Sequence, residues 1–159
     1  MKLTTKGRYA VTAMLDLALH QYDGVVTVAD IAQRQQISVA YLEQLFGRLR
    51  RHGLVDSVRG PGGGYRLAVP GAEIPLTRIV AAVNESIHTT QCGGDPTLCC
   101  KGDGKQCLTH DLWEELGQRI AQFLDSITLA QLVEEQLRKE AAQGTVPVKM
   151  AQTVLRSAH

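Results

Sequence analysis

The chain has 159 residues, 44% of them hydrophobic but only 4% aromatic, with a formal net charge of +1. This supports one domain with an extension, or two small units, around an aliphatic core. No apolar run reaches the length of a membrane span, and the apolar N-terminal stretch is broken by Asp16 with no small-residue cleavage site after it, so a cytosolic chain is expected.

Thr4 and Thr5 are placed to cap a first helix, in which Val11, Met14, Leu15 and Ala18 recur at helical spacing until Asp23-Gly24 turns the chain. Thr27 with Asp30 three residues on is a carboxylate variant of the capping box, and predicts a short helix over Val28–Gln35. Ser38 caps a third helix with Leu42, Leu45, Phe46 and Leu49 as its apolar stripe, and His52-Gly53 as its stop. The opposite face carries Tyr41, Gln44, Arg48 and Arg51. Two β-prone runs, Leu54–Val58 and Tyr65–Val69, flank a glycine-rich tip that starts at Arg59. Three short helices and a hairpin make a winged helix-turn-helix domain over residues 1–70. The expected fold class is therefore mainly α with a small β-hairpin wing.

The stretch Pro70–Pro75 breaks the pattern. Leu76, Ile79, Val80 and Val83 then predict a fourth helix within a linker region, 71–91. A longer helix follows, with Leu112, Trp113, Leu116, Ile120, Phe123 and Ile127 spaced by threes and fours. That stripe exceeds what one small domain must cover, so residues 109–127 are expected to form a dimerisation helix. Packing on its own subunit is the competing use. Thr128 caps a C-terminal helix over 128–142. The tail, 143–159, lacks a pattern and is expected to be disordered.

Charge divides along the chain. Up to Arg66 there are nine basic and five acidic residues, a net of +4, which leaves −3 for the rest. A basic half with a helix-turn-helix pattern points to double-stranded DNA. The second helix of such a motif enters the major groove, which puts Ser38, Ala40, Tyr41, Glu43 and Gln44 near base edges. Gln44 suits adenine and Glu43 suits the amino group of cytosine. Glu43 either penalises wrong sites or is a solvent-facing charge. Arg59 suits a minor groove, with the amides of Gly60–Gly64 near phosphate. Lys6, Arg48, Gly60, Gly62 and Gly63 complete the expected DNA-binding set. The glycine run is not a nucleotide loop, because the strand-like Tyr65–Val69 follows it instead of a helix. With no nucleophile–base arrangement either, an enzyme is not expected.

All four cysteines lie between Cys92 and Cys107, and His110 closes the run. In a chain without a secretory signal such clustering points to metal or redox chemistry. The spacing has no Cys-x-x-Cys, and Cys107-x-x-His110 is the only short pair. Residue chemistry alone leaves open zinc, an iron–sulfur cluster, and a thiol switch at the vicinal Cys99 and Cys100.

Three stretches, "MKLTTKGRYAVTAML", "YLEQLFGRLRRHGLVDSVRGPGGGYRL" and "CLTHDLWEEL", closely resemble the IscR family of iron–sulfur cluster regulators, in unbroken order over roughly residues 1–135. The resemblance implies a homodimeric transcription factor, repressor and activator of cluster assembly genes, fed with clusters by the assembly machinery. It implies one [2Fe–2S] cluster per subunit, held by three cysteines and a histidine. Cys92, Cys107 and His110 match three of these. At the middle ligand the chain departs from the family, whose cysteines are spaced five apart around a single central one. Here the loop is longer and offers two. Cys100 is preferred, because "CKGDG" resembles the family's residues after that cysteine, and Cys99 is the alternative. The resemblance also implies that cluster-bound and apo forms prefer different DNA site classes, with the acidic residue matching Glu43 contributing. A zinc-containing winged-helix protein without sensing, and an iron–sulfur carrier or redox protein, are the competing readings.

Overall fold

The computed structural model describes residues 5–85 and 108–144. The four cysteine positions, the Thr4 cap and the tail from residue 145 lie outside the described residues. Six α-helices and one hairpin are described, with short 3-10 turns at Gln21–Asp23 and Gly71–Glu73: α1 (Thr5–His20), α2 (Val28–Gln35), α3 (Val39–Arg51), β1 (Val55–Val58), β2 (Gly64–Leu67), α4 (Leu76–Ala82), α5 (His110–Asp125) and α6 (Leu129–Ala142).

Local chemistry sets several of these limits. At the start of α2, the Asp30 amide donates to Thr27 Oγ1 at 3.1 Å, and the Thr27 amide donates to Asp30 Oδ2 at 3.2 Å. The box is reciprocal, so two amides that the first turn leaves without helical partners are satisfied. Ser38 Oγ accepts from the Tyr41 amide at 3.3 Å and starts α3. Thr128 and Gln131 form the same reciprocal box at the start of α6. Helix α3 stops at His52, and Gly53 follows with φ +66°.

The hairpin is antiparallel, with Val55 opposite Leu67 and Val58 opposite Gly64. A third short segment joins it: Tyr65 N donates to Val26 O at 2.7 Å, and Val26 N to Tyr65 O at 3.1 Å. The strands are shorter than Leu54–Val58 and Tyr65–Val69. Leu54 N instead bonds Leu49 O at the end of α3, and Ala68 N bonds Leu54 O.

One core runs through the molecule. Phe46, Leu42, Leu45 and Leu49 from α3 meet Met14 and Leu17 from α1 and Ile31 from α2, all 0–2% exposed. The same buried cluster continues into Ile74, Leu76, Ile79 and Val83, and into Leu129, Val133 and Leu137 of α6. Residue 70 is therefore no boundary of the core. Helix α6 returns to α1, and backbone bonds from Leu76 N to Ile127 O and from Leu129 N to Ile74 O tie its start to the segment before α4. Helix α5 differs. It packs against α4, where Thr77 Oγ1 donates to Asp125 Oδ1 at 2.5 Å, but only His110 and Gly117 within it are buried.

Candidate DNA-binding site

The sequence of α3 divides it into two functional lengths. Its apolar stripe is locked into the core, which fixes the helix and turns Ser38, Ala40, Glu43 and Gln44 outward to solvent. These are side chains of the N-terminal turns, which meet base edges when such a helix enters a major groove. Ser38 uses one lone pair to cap the helix and keeps its hydroxyl proton for an outside acceptor. Tyr41 is half-buried: its ring meets Tyr9 of α1 edge-on, with centroids 5.9 Å apart. Val39 was not among the expected contacts. It sits between Ser38 and Ala40 with 43% of its surface exposed, an apolar side chain suited to a thymine methyl.

The arginines further along α3 are directed differently. Arg48 is half-buried, and its Nη1 donates to the carbonyl of Val83 at 3.0 Å. Arg50 Nη1 donates to Ser57 Oγ in β1 at 3.3 Å. Arg51 remains exposed. Lys6 on α1 is half-buried too, with Nζ 3.5 Å from the carbonyl of Asn84. Of the expected basic contacts, Lys6 and Arg48 thus both reach the end of α4.

The wing stands beside α3 because Tyr65 of β2 packs on Phe46, ring centroids 4.7 Å apart. Arg59 opens the tip and is exposed. The reversal needs φ of +108° at Gly60 and +75° at Gly62, a region costly for residues with a Cβ, and Gly63 N closes the turn onto Gly60 O at 2.9 Å.

The framework behind α3 is polar as well as apolar. Asp16, 2% exposed, accepts from Arg34 Nε at 3.1 and 3.0 Å, from Arg34 Nη2 at 2.6 Å, and from Gln35 Nε2 at 2.7 Å. The hydrogen bond to this carboxylate raises the pKa of the Arg34 guanidinium still further above its ordinary value. The pair holds α2 against α1 and so sets the pose from which α3 projects.

Of the expected metal ligands, only His110 is described. It opens α5, is 7% exposed, and places Nε2 3.4 Å from Glu114 Oε2. Among the described residues, no three His, Cys, Asp or Glu side chains are grouped so as to hold a metal ion. Along α5, Leu112 and Phe123 are 60% and 64% exposed, while Leu116, Ile120 and Ile127 are half-buried. Among the described residues no helix is long and apolar enough to cross a membrane.

A family model for Rrf2, described as an iron-dependent transcriptional regulator, matches residues 3–135. The chain belongs to the Rrf2 family. This Rrf2 chain is 57% identical over 136 residues to the HTH-type transcriptional regulator IscR of Yersinia pseudotuberculosis, an alignment covering 86% of this chain and 81% of that one. Among solved structures it is similar to T. potens IscR, with 37% identity, a TM-score of 0.68 and coverage of 92% and 93%. It is also similar to CymR, the global cysteine regulator of B. subtilis, with 34% identity, a TM-score of 0.69 and coverage of 85% and 98%. The chain is thus an HTH-type transcriptional regulator of the Rrf2 family, homologous to IscR proteins, and not an enzyme. The expected winged-helix fold is the observed one.

Proposed function

We propose that this Rrf2 protein is a cytosolic, homodimeric regulator that represses and activates iron–sulfur assembly genes and changes its preferred operators with the state of a [2Fe–2S] cluster. One placement carries the reading. Helix α4 ends against α1 and the recognition helix at Val83–Glu85, and α5 begins with the buried His110. The stretch between them, which bears every cysteine, is bracketed by the DNA-binding half on one side and an exposed apolar helix on the other.

The donor set fits such a group. Thiolates are the usual ligands of iron–sulfur clusters, and imidazole can replace thiolate at one iron. Cys92, Cys100, Cys107 and His110 would hold one cluster per subunit, with Cys99 as the alternative middle ligand. When bound, the group supplies a rigid connection whose persistence depends on iron, sulfide and oxidants. His110 contributes a ligand already fixed at a helix start, with Glu114 one turn on to orient its ring. One imidazole in place of a thiolate also lowers the negative charge of the site. The outward residues of α3 read base edges, Glu43 disfavours sites without a donor opposite it, and Arg59 enters the minor groove beside the wing. Facing α5 helices make the dimer, which implies a pseudo-palindromic operator. The assembly machinery is the source of the cluster.

The test is anaerobic purification, a visible spectrum, and iron, sulfide and zinc content. The same protein is used to enrich duplexes from a randomised library, before and after cluster removal. Stoichiometric iron and sulfide with two distinct enriched DNA classes support the reading. Zinc alone makes the site a structural clip on a plain DNA-binding protein. A cluster with one unchanged DNA class points to a carrier or redox role.

A further inference from the structure

The last turn of α4 has an unusual set of partners. Asn84 N donates to Ala81 O at 2.9 Å and Glu85 N to Val80 O at 3.3 Å, while Asn84 takes φ +56°. This is a Schellman stop with asparagine in the left-handed position, which asparagine tolerates better than most residues. The stop satisfies earlier carbonyls and leaves those of Val83 and Asn84 turned outward. Each is met by a cation from the DNA-binding half: Val83 O by Arg48 Nη1 of α3 at 3.0 Å, and Asn84 O by Lys6 Nζ of α1 at 3.5 Å. Positive charge at a helix C-terminus also opposes the negative end of the macrodipole. On the far side of the turn, the Glu85 carboxylate lies against α1 at Gly7, where a Cβ would collide with it. Gly7 lies in the first turn of α1, where the dipole favours an anion.

We propose that Arg48 is a positioning residue for DNA recognition, one that ties the recognition helix to the Val83–Glu85 turn instead of contacting DNA phosphate. The inference deepens the sensor reading and rests on it. Arg48 lies one helical turn beyond Gln44, on the helix that presents Gln44 and Glu43. The turn it grips ends seven residues before Cys92, the first cysteine. A displacement of that turn pulls on α3 through Val83 O and on α1 through Gly7 and Lys6, and tilts the residues that read bases. Two discrete poses of one packed contact suffice for such coupling.

The experiment measures Kd for the two duplex classes enriched above, for cluster-loaded and cluster-free protein, at several salt concentrations. In Arg48→Met, which keeps an apolar stem, the ratio of loaded to cluster-free affinity moves toward unity by about five-fold or more. The slope of log Kd against log salt stays at its wild-type value, and amide exchange rises together at Val80–Glu85 and in the C-terminal half of α3. Gly7→Ala, which displaces Glu85 while improving helix propensity, compresses the same ratio and guards against a folding defect in the first variant. A salt slope reduced by about one, with affinity lost evenly on both duplex classes, makes Arg48 a phosphate contact and overturns the inference. An unchanged ratio in both variants, against a wild-type ratio far from unity, overturns it while leaving the sensor reading in place. A wild-type ratio of unity removes the sensor reading and the inference together.

Discussion

The carboxylate of Asp16 lies 2.6 Å from Nη2 of Arg34 and is also reached by Nε of the same guanidinium, so that α1 and α2 are joined by a forked ion pair with one partner buried. Fork geometry lets a carboxylate accept several charge-assisted bonds at once. Gln35 adds one more, and His20 Nδ1 stands 3.5 Å from the same carboxylate. Removing Asp16 strips the pair of its buried member. Arg34 can rehydrate, because 35% of its side chain is exposed, so the loss falls below the about 3–5 kcal/mol typical of a fully buried pair. Asp16→Ala is expected to cost roughly 2 kcal/mol in urea unfolding. A cost under half of that marks the pair as a surface interaction.

The box at Thr27 and Asp30 gives an acid-side prediction. Hydrogen bonds from the Thr27 hydroxyl and amide hold the Asp30 carboxyl below its ordinary pKa. A depressed folded pKa stabilises the fold above the unfolded value, and that contribution is lost as pH falls through the folded one. The window therefore opens below roughly pH 4. Thermal unfolding followed across this range is expected to show a shallower acid limb for Asp30→Asn than for wild type, with the two curves converging at the lowest pH. Parallel curves would mean that the box is equally formed in the unfolded chain.

Short-range features of this fold were legible in the sequence. Thr27, Asp30, Ser38 and Thr128 act within three residues of themselves, and Leu42, Leu45, Phe46 and Leu49 declare their face by spacing alone. Side chains whose partners are remote in sequence were not legible. Arg48 meets Val83, 35 residues on, and Lys6 meets Asn84, 78 residues on, so their direction depends on where α4 docks. Asp16 looked like an interruption of an apolar stretch, and its partner Arg34 is 18 residues away. The return of α6 to α1 depends likewise on packing that no local pattern encodes.

Glu43 is the exposed acid of α3, on the face proposed to enter the major groove. In that groove, without a donor opposite, its charge would be desolvated and repelled, and it would select by penalty. Glu43→Ala is expected to raise affinity for the disfavoured duplex class and narrow the ratio between classes by about ten-fold, within the discrimination carried by one base contact. Competition binding with the two enriched duplexes measures this directly. Equal changes on both classes would reduce Glu43 to a general repulsive charge.

Arg59 is exposed at the mouth of a tip whose turn is set by Gly60 and Gly62. The Gly63 N to Gly60 O bond at 2.9 Å closes that turn and sets where the arginine leaves the hairpin. Arg59→Ala is expected to weaken binding by about ten-fold and to abolish the preference for narrow A·T-rich flanks, because minor-groove width is read through such an arginine. Binding to duplexes that differ only in their flanks separates the two effects. A uniform loss with the flank preference intact would make Arg59 a backbone contact.

Helix α5 leaves Leu112, Trp113 and Phe123 exposed while packing against α4. Its 16 residues span about 24 Å, enough for a helix pair along a two-fold axis. A carboxylate placed in that pair would be desolvated opposite its own symmetry mate. Phe123→Glu is therefore expected to shift sedimentation equilibrium from dimer to monomer at micromolar concentration. It is expected to leave the urea midpoint of the winged-helix core nearly unchanged when protein concentration is low, because Phe123 is 64% exposed and contributes nothing to that core. DNA affinity falls as well, since two half-sites are no longer bound by one tethered pair, and the loss is recovered at high protein concentration. A variant that keeps its dimeric mass would place the interface elsewhere, with α5 covered by other contacts of its own chain.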